Sequence, residues 1–166
     1  MGNLHQGHQV LFSKAPHNTI KVATIYVNPL QFDRNDDYQN YPKSLQKDLD
    51  VCVQNNINLI YVPKGDISNE IMIEKNIDLP KFTRYLCGQK REGHFLGVYK
   101  IVKYFFNIVN PDFVCFGKKD YQQLLLIKYL VNTYFPKTHI IDVETVRDAN
   151  NIALSSRLTR LSKESL

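Results

Sequence analysis

Short runs rich in β-branched and aromatic residues, at 22–27, 57–62, 113–116 and 140–146, recur along the chain, each closed by Asn, Pro, Gly or a charged residue. Such runs read as strands, and their near-continuous apolar character predicts interior strands of a parallel sheet. Between them the apolar period becomes that of a helix. Leu45, Leu49, Cys52 and Val53 mark one stripe; Val98, Ile101, Val102 and Phe105 mark another, with Lys100, Lys103 and Asn107 opposite. A further helix is predicted over 120–135. There Leu124, Ile127, Val131 and Tyr134 face inward, Leu125, Leu126 and Leu130 indicate burial on more than one side, and Pro136 stops the helix. Residues 64–90 are harder to read, with a mixed pattern from Glu70 to Asp78, and are expected to form a loop with one short helix.

Alternating strands and helices imply an α/β fold with a parallel sheet and ligands at the carboxyl ends of the strands. The polar blocks obey that rule. NPLQ at 28–31 follows the strand ending at Val27, and GKKD at 117–120 follows the strand ending at Phe116, so the two should converge on one rim.

The chemistry starts at the amino end, where His5 and His8 flank Gly7. Residues three apart share a helix face, so both imidazoles can aim at one ligand, and Gly7 lets that ligand approach the backbone. At the positive end of a helix this arrangement suits a triphosphate; taken locally, it is equally compatible with a polar terminus carrying two incidental histidines. Lys119 sits after a strand at a helix start, where an ammonium can meet a phosphate, or it is a solvated surface lysine. Asp120 fits a helix N-cap. Gln31 and Gln123 can both donate and accept, as a hydroxy acid would require, although most glutamines are surface residues. Ser155, Ser156 and Arg157 read locally as a cap followed by a solvent-facing arginine.

Composition narrows the classes. The 166 residues suffice for one well-buried core, and a single domain over 1–166 is expected. No apolar run approaches the roughly 20 residues that span a bilayer, and the first residues do not resemble a secretory leader. A soluble cytoplasmic protein is the expectation. Cys52, Cys87 and Cys115 are odd in number and widely spaced, which predicts reduced, mostly buried thiols rather than a disulfide framework or zinc site. The net charge of +5 is scattered, with small clusters at Lys90–Arg91 and Lys118–Lys119. That distribution suits local phosphate binding better than a nucleic-acid track.

The blocks YVNPLQF at 26–32, YPKSLQKD at 41–48, REGHFLGV at 91–98, CFGKKDYQQL at 115–124 and LSSR at 154–157, in this order and at this spacing, resemble the pantoate-beta-alanine ligase family over essentially all 166 residues. The resemblance implies a Rossmann-like sheet of the H-x-G-H nucleotidyltransferase superfamily and an AMP-forming condensation of pantoate with β-alanine through a pantoyl adenylate. It implies Mg²⁺ with ATP as substrate, small-molecule partners only, no membrane or nucleic-acid partner, and a homodimer. By similarity, His5, His8 and Lys119 are catalytic; Met1, Gly117, Asp120, Ser155, Ser156 and Arg157 join them in holding ATP; Met1, Gln31 and Gln123 hold pantoate; Asp48 lies near magnesium; Arg91 and His94 orient the site. The family's usual first strand with its P-T-M-G turn and its smaller C-terminal domain lie outside 1–166, so the resemblance implies a chain cut at both ends and of reduced activity by itself. Lys118, Cys87 and Glu92 depart from the family's G-E-K-D and E-G-x-x-R-P-G-H-F blocks and change the local charge. Two other classes remain open at this point: a different nucleotidyltransferase of the same superfamily, and a non-catalytic nucleic-acid or partner-binding domain.

Overall fold

The computed structural model describes residues 1–72 and 77–158. Helix α1 (Gln6–Ser13) leads into strand β1 (Val22–Thr24), a 3₁₀ turn at Pro29–Gln31, α2 (Asn35–Gln39), α3 (Leu45–Gln54) and β2 (Leu59–Tyr61). The second half comprises α4 (Ser68–Ile71), a 3₁₀ turn at Lys81–Arg84, α5 (Cys87–Lys90), α6 (His94–Val109), β3 (Phe113–Gly117), a 3₁₀ turn at Lys118–Asp120, α7 (Tyr121–Tyr134) and β4 (His139–Val143).

All four expected strands form and pair in parallel; β1, β2 and β4 are shorter than their apolar runs, by up to three residues at an end, and β3 runs one residue further, to Gly117. They do so as two separate pairs among the described residues, β1 with β2 and β3 with β4, rather than as one continuous sheet. Their ends are accordingly less buried than interior strands would be: Val22, Leu59 and Phe113 are 36, 58 and 43% exposed. On its side away from β2, β1 is met by Met1, whose carbonyl accepts from Tyr26 N–H at 2.8 Å. The expected loop at 64–90 holds more helix than read, two short α-helices and a 3₁₀ turn, with residues 73–76 outside the described set.

The core lies mainly between α6 and α7 and against β3 and β4. Phe95, Val98, Tyr99, Phe106, Leu126, Ile127, Leu130 and Val131 are buried there, with Val114, Phe116 and Ile140 packed against them. Burying each such side chain contributes about 1.5–3 kcal/mol. The two-sided burial read for α7 is present, except that Tyr134 is 47% exposed and its ring meets the Lys103 ammonium at 4.0 Å. The stripe of α3 is rotated from the expected one: Leu45 and Val53 are exposed, and Asp48 and Cys52 face inward. Among the thiols, Cys52 is buried, Cys115 half-buried and Cys87 exposed.

The 3₁₀ turn carrying Gln31 seats on α6. Gly97 permits this, because a Cβ there would stand 2.2 Å from the Leu30 carbonyl oxygen. Buried Asn28 locks the contact, donating to the Gly97 carbonyl at 3.0 Å while its Oδ1 accepts from Leu30 N–H at 3.2 Å.

Candidate active site

Residues from both strand pairs, from the start of α1 and from the stretch at 154–157 line one cleft of about 1040 Å³. Met1, His5, His8, Gln31, Gly117, Lys119, Asp120, Gln123, Ser155, Ser156 and Arg157 all contribute to it. The two polar blocks that follow β1 and β3 therefore do share a rim.

The histidines cap α1 reciprocally. His5 Nδ1 accepts from Gly7 N–H at 3.1 Å, and His8 Nδ1 accepts from His5 N–H at 3.2 Å, so imidazoles perform the task of a capping box. With Nδ1 accepting in both rings, the neutral form carries its proton on Nε2. Burial pushes His8 down to about 3, with the neighbouring His5 adding to the shift, and burial followed by the charge of Lys119 lowers His5. The pair therefore offers neutral N–H donors. Gly7 lines the cleft, and a Cβ there would stand 2.9 Å from His5 Cε1, so its absence also makes room for that ring.

Lys119 and Arg157 are cations that line the cleft beside the histidines. Lys119 Nζ lies 3.2 Å from Asp120 Oδ1 and bears electrostatically on both histidines. Asp120 occupies the N-cap position of α7, but its side chain makes no capping bond; it answers Lys119 instead. Lys118, the basic departure, is tied to Glu144. Arg157 forks onto Asp37 through Nη2 at 2.8 Å and Nε at 3.4 Å, with its guanidinium carbon 5.2 Å from the Tyr41 ring centre. That contact joins residues 120 apart in sequence, and nothing local to Asp37 signals it.

Ser156 Oγ is buried and donates to the Asn3 carbonyl at 3.0 Å, while Asn3 Nδ2 returns a bond to the Ser156 carbonyl at 3.2 Å. Asn3 takes a left-handed φ of 52°, which asparagine tolerates, and so brings the two ends of the described chain together. Ser155 Oγ accepts from Arg157 N–H at 3.2 Å. Asp48 lies outside the cleft, on a separate depression, and its two oxygens accept from Asn3 N–H at 2.9 Å and Leu4 N–H at 2.6 Å. This placement does not support a magnesium ligand: Asp48 is 3% exposed and serves the backbone ahead of α1. Among the described residues, no cluster of three or more His, Cys, Asp or Glu could hold a metal ion. No helix among them is long and apolar enough to cross a membrane.

The cleft joins cationic and N–H donors with uncharged side chains that can both donate and accept. The chain is 43% identical over 160 residues to a pantothenate synthetase of Aliivibrio fischeri, a match over 95% of this chain and 55% of that protein. Against the Vibrio atlanticus pantothenate synthetase the values are 41% over 165 residues, 98% and 56%. The chain thus spans about half the length of these curated relatives. Among solved structures, the pantoate-beta-alanine ligase of Francisella tularensis, described as complexed with β-γ ATP and β-alanine, superposes with a TM-score of 0.91 at 36% identity, over 98% of this chain and 63% of that one. The pantothenate synthetase of Thermus thermophilus superposes with a TM-score of 0.91 at 35% identity, over 99% and 60%. A family profile for Pantoate-beta-alanine ligase matches residues 1–166 from end to end, and the chain, which carries that family's blocks on its fold and around one cleft, belongs to it.

Proposed function

We propose that the cleft condenses pantoate with β-alanine at the expense of ATP. Pantoate's carboxylate attacks the α-phosphorus, pyrophosphate leaves, and the amine of β-alanine then displaces AMP from the acyl adenylate. The observation that carries this reading is the convergence of His5, His8, Lys119 and Arg157 with Gln31 and Gln123 on one cleft.

The residues supply positioning and electrostatics, the main resources of such a transfer. His5 and His8 donate from Nε2 to the phosphate oxygens, and their neutrality keeps charge compensation with Lys119. Arg157 offers a fork that can exchange Asp37 for phosphate oxygens. Ser155 and the open backbone at Gly117 border the triphosphate, and Met1 with the two glutamines receives pantoate's apolar and hydroxy-acid ends. Magnesium bound with the triphosphate would offset charge on its oxygens, and exposed Asp120, a carboxylate on the cleft, would help to hold it. We extend the proposal to a cytoplasmic homodimer acting on small molecules rather than on nucleic acid or membranes.

Pantoate-dependent exchange of pyrophosphate into ATP tests the first half-reaction. Lys119→Ala should depress it by roughly 10²–10³-fold, the effect of removing one charged donor from a transition state. Thermal unfolding should be unchanged, because Lys119 is a partly exposed side chain. Near-normal exchange in that variant would refute its role.

A further inference from the structure

His94, in the first turn of α6, is a buried ionisable group that the reaction as described does not use; it is 7% exposed and lies at the edge of the cleft. Its Nδ1 is 2.7 Å from the main-chain carbonyl oxygen of Gln31, and its Nε2 is 3.2 Å from Arg91 Nη1. A carbonyl oxygen only accepts and a guanidinium only donates, so one proton arrangement satisfies both contacts: a neutral ring with its proton on Nδ1 and its lone pair on Nε2. Burial, the largest influence on this ring, also favours the neutral form.

Arg91 adds a second grip. Its Nη2 donates to the same Gln31 carbonyl at 3.3 Å, and its Nε reaches Asp33 at 3.5 Å, two residues beyond Gln31. The Gln31 carbonyl thus receives two donors, while Asn28 and Gly97 seat the preceding residues on α6. The main chain of Gln31 is fixed on both sides, which fixes the direction in which its side chain leaves the backbone.

We infer that His94 and Arg91 form a positioning clasp that aims the Gln31 amide at the hydroxy acid in the cleft and so sets affinity for that substrate rather than for the nucleotide. Both ring nitrogens of His94 are engaged by protein groups, which makes it a positioning residue and not a catalytic one. The identity of the hydroxy acid rests on the ligase reading above.

The test compares steady-state constants of the wild-type protein, His94→Leu, His94→Asn and Arg91→Met. His94→Leu should raise the KM for pantoate about tenfold or more with the KM for ATP within about twofold, since a lost hydrogen bond near one substrate is read in that substrate's constant. The asparagine variant, whose amide can donate to the same carbonyl, should recover most of the loss, and Arg91→Met should move the pantoate constant in the same direction by less. Equal shifts in both constants, or no shift, would overturn the clasp. Should the leucine variant fail to fold, Arg91→Met and the ¹⁵N spectrum of the wild-type imidazole decide the matter: a neutral ring protonated on Nδ1 supports the clasp, and one protonated on Nε2 overturns it. A wild-type protein that releases no AMP from pantoate and β-alanine would instead end the ligase reading, and the ring tautomer would still decide the clasp.

Discussion

Two imidazoles that cap a helix with Nδ1 carry Nε2–H without bringing charge, and this has consequences in pH. An unfolded histidine takes up a proton near pH 6.5, whereas folded His8 resists protonation down to about 3. Between those values the unfolded chain binds more protons, so the stability associated with His8 is complete above about pH 6.5 and declines as the pH falls toward 3. His5 acts in the same direction. Thermal midpoints recorded across that window should therefore fall less steeply for His8→Gln than for the wild-type protein; parallel curves would show that His8 titrates normally when folded. Asp48 yields a second prediction at this scale. Its oxygens serve two backbone N–H groups, so Asp48→Asn should cost about 1–3 kcal/mol in denaturant unfolding while the magnesium dependence of turnover stays unchanged. A higher magnesium requirement would restore it as a ligand. That the histidines, Lys119 and the two glutamines share one cleft was legible in the sequence, because each lies in a short block beside a strand or helix end. The tautomers, the task of Asp48, the room that Gly7 leaves for the His5 ring, and the partnership of Asp37 with Arg157 were not, since each depends on atoms brought together from distant segments or on ring orientation.

At the scale of elements, the contact between α6 and the 3₁₀ turn at Pro29–Gln31 connects packing to chemistry. Glycine inside a helix costs about 1 kcal/mol relative to alanine, so Gly97→Ala would ordinarily stabilise. Here the added Cβ would lie 2.2 Å from the Leu30 carbonyl oxygen and 2.7 Å from Gln31 N, both backbone atoms that cannot swing aside. Overpacking of this kind costs about 1–3 kcal/mol and should outweigh the propensity gain. Gly97→Ala should lower the thermal midpoint and raise the KM for pantoate together; a more stable variant with unchanged constants would show that the turn yields freely. The long helices were legible because their apolar period is strong, and the strands because β-branched runs ended at turn residues. The stripe of α3 was misread because a buried carboxylate, Asp48, occupies the inward face that an apolar pattern assigns to leucine. The stretch at 64–90 was obscured because its helices have only four residues each, too short to display a period.

Across the whole molecule, two parallel strand pairs and the helices on them bring segments from residues 1 to 157 around one cleft. The cross-links are specific: Asn3 with Ser156, Asp37 with Arg157, and His94 with Gln31. A site assembled from such distant segments should lose function when the segments separate, so activity and the cooperative unfolding transition should disappear over the same range of denaturant. The most direct measurement is a crystal structure of the protein grown with pantoate and a non-hydrolysable ATP analogue. The α-phosphate should lie within hydrogen-bond reach of Nε2 of His5 or His8 and of the Lys119 ammonium, with pantoate held between Gln31 and Gln123 and its carboxylate facing the phosphorus. A nucleotide bound elsewhere, or a pantoate carboxylate turned away from the α-phosphate, would contradict the account.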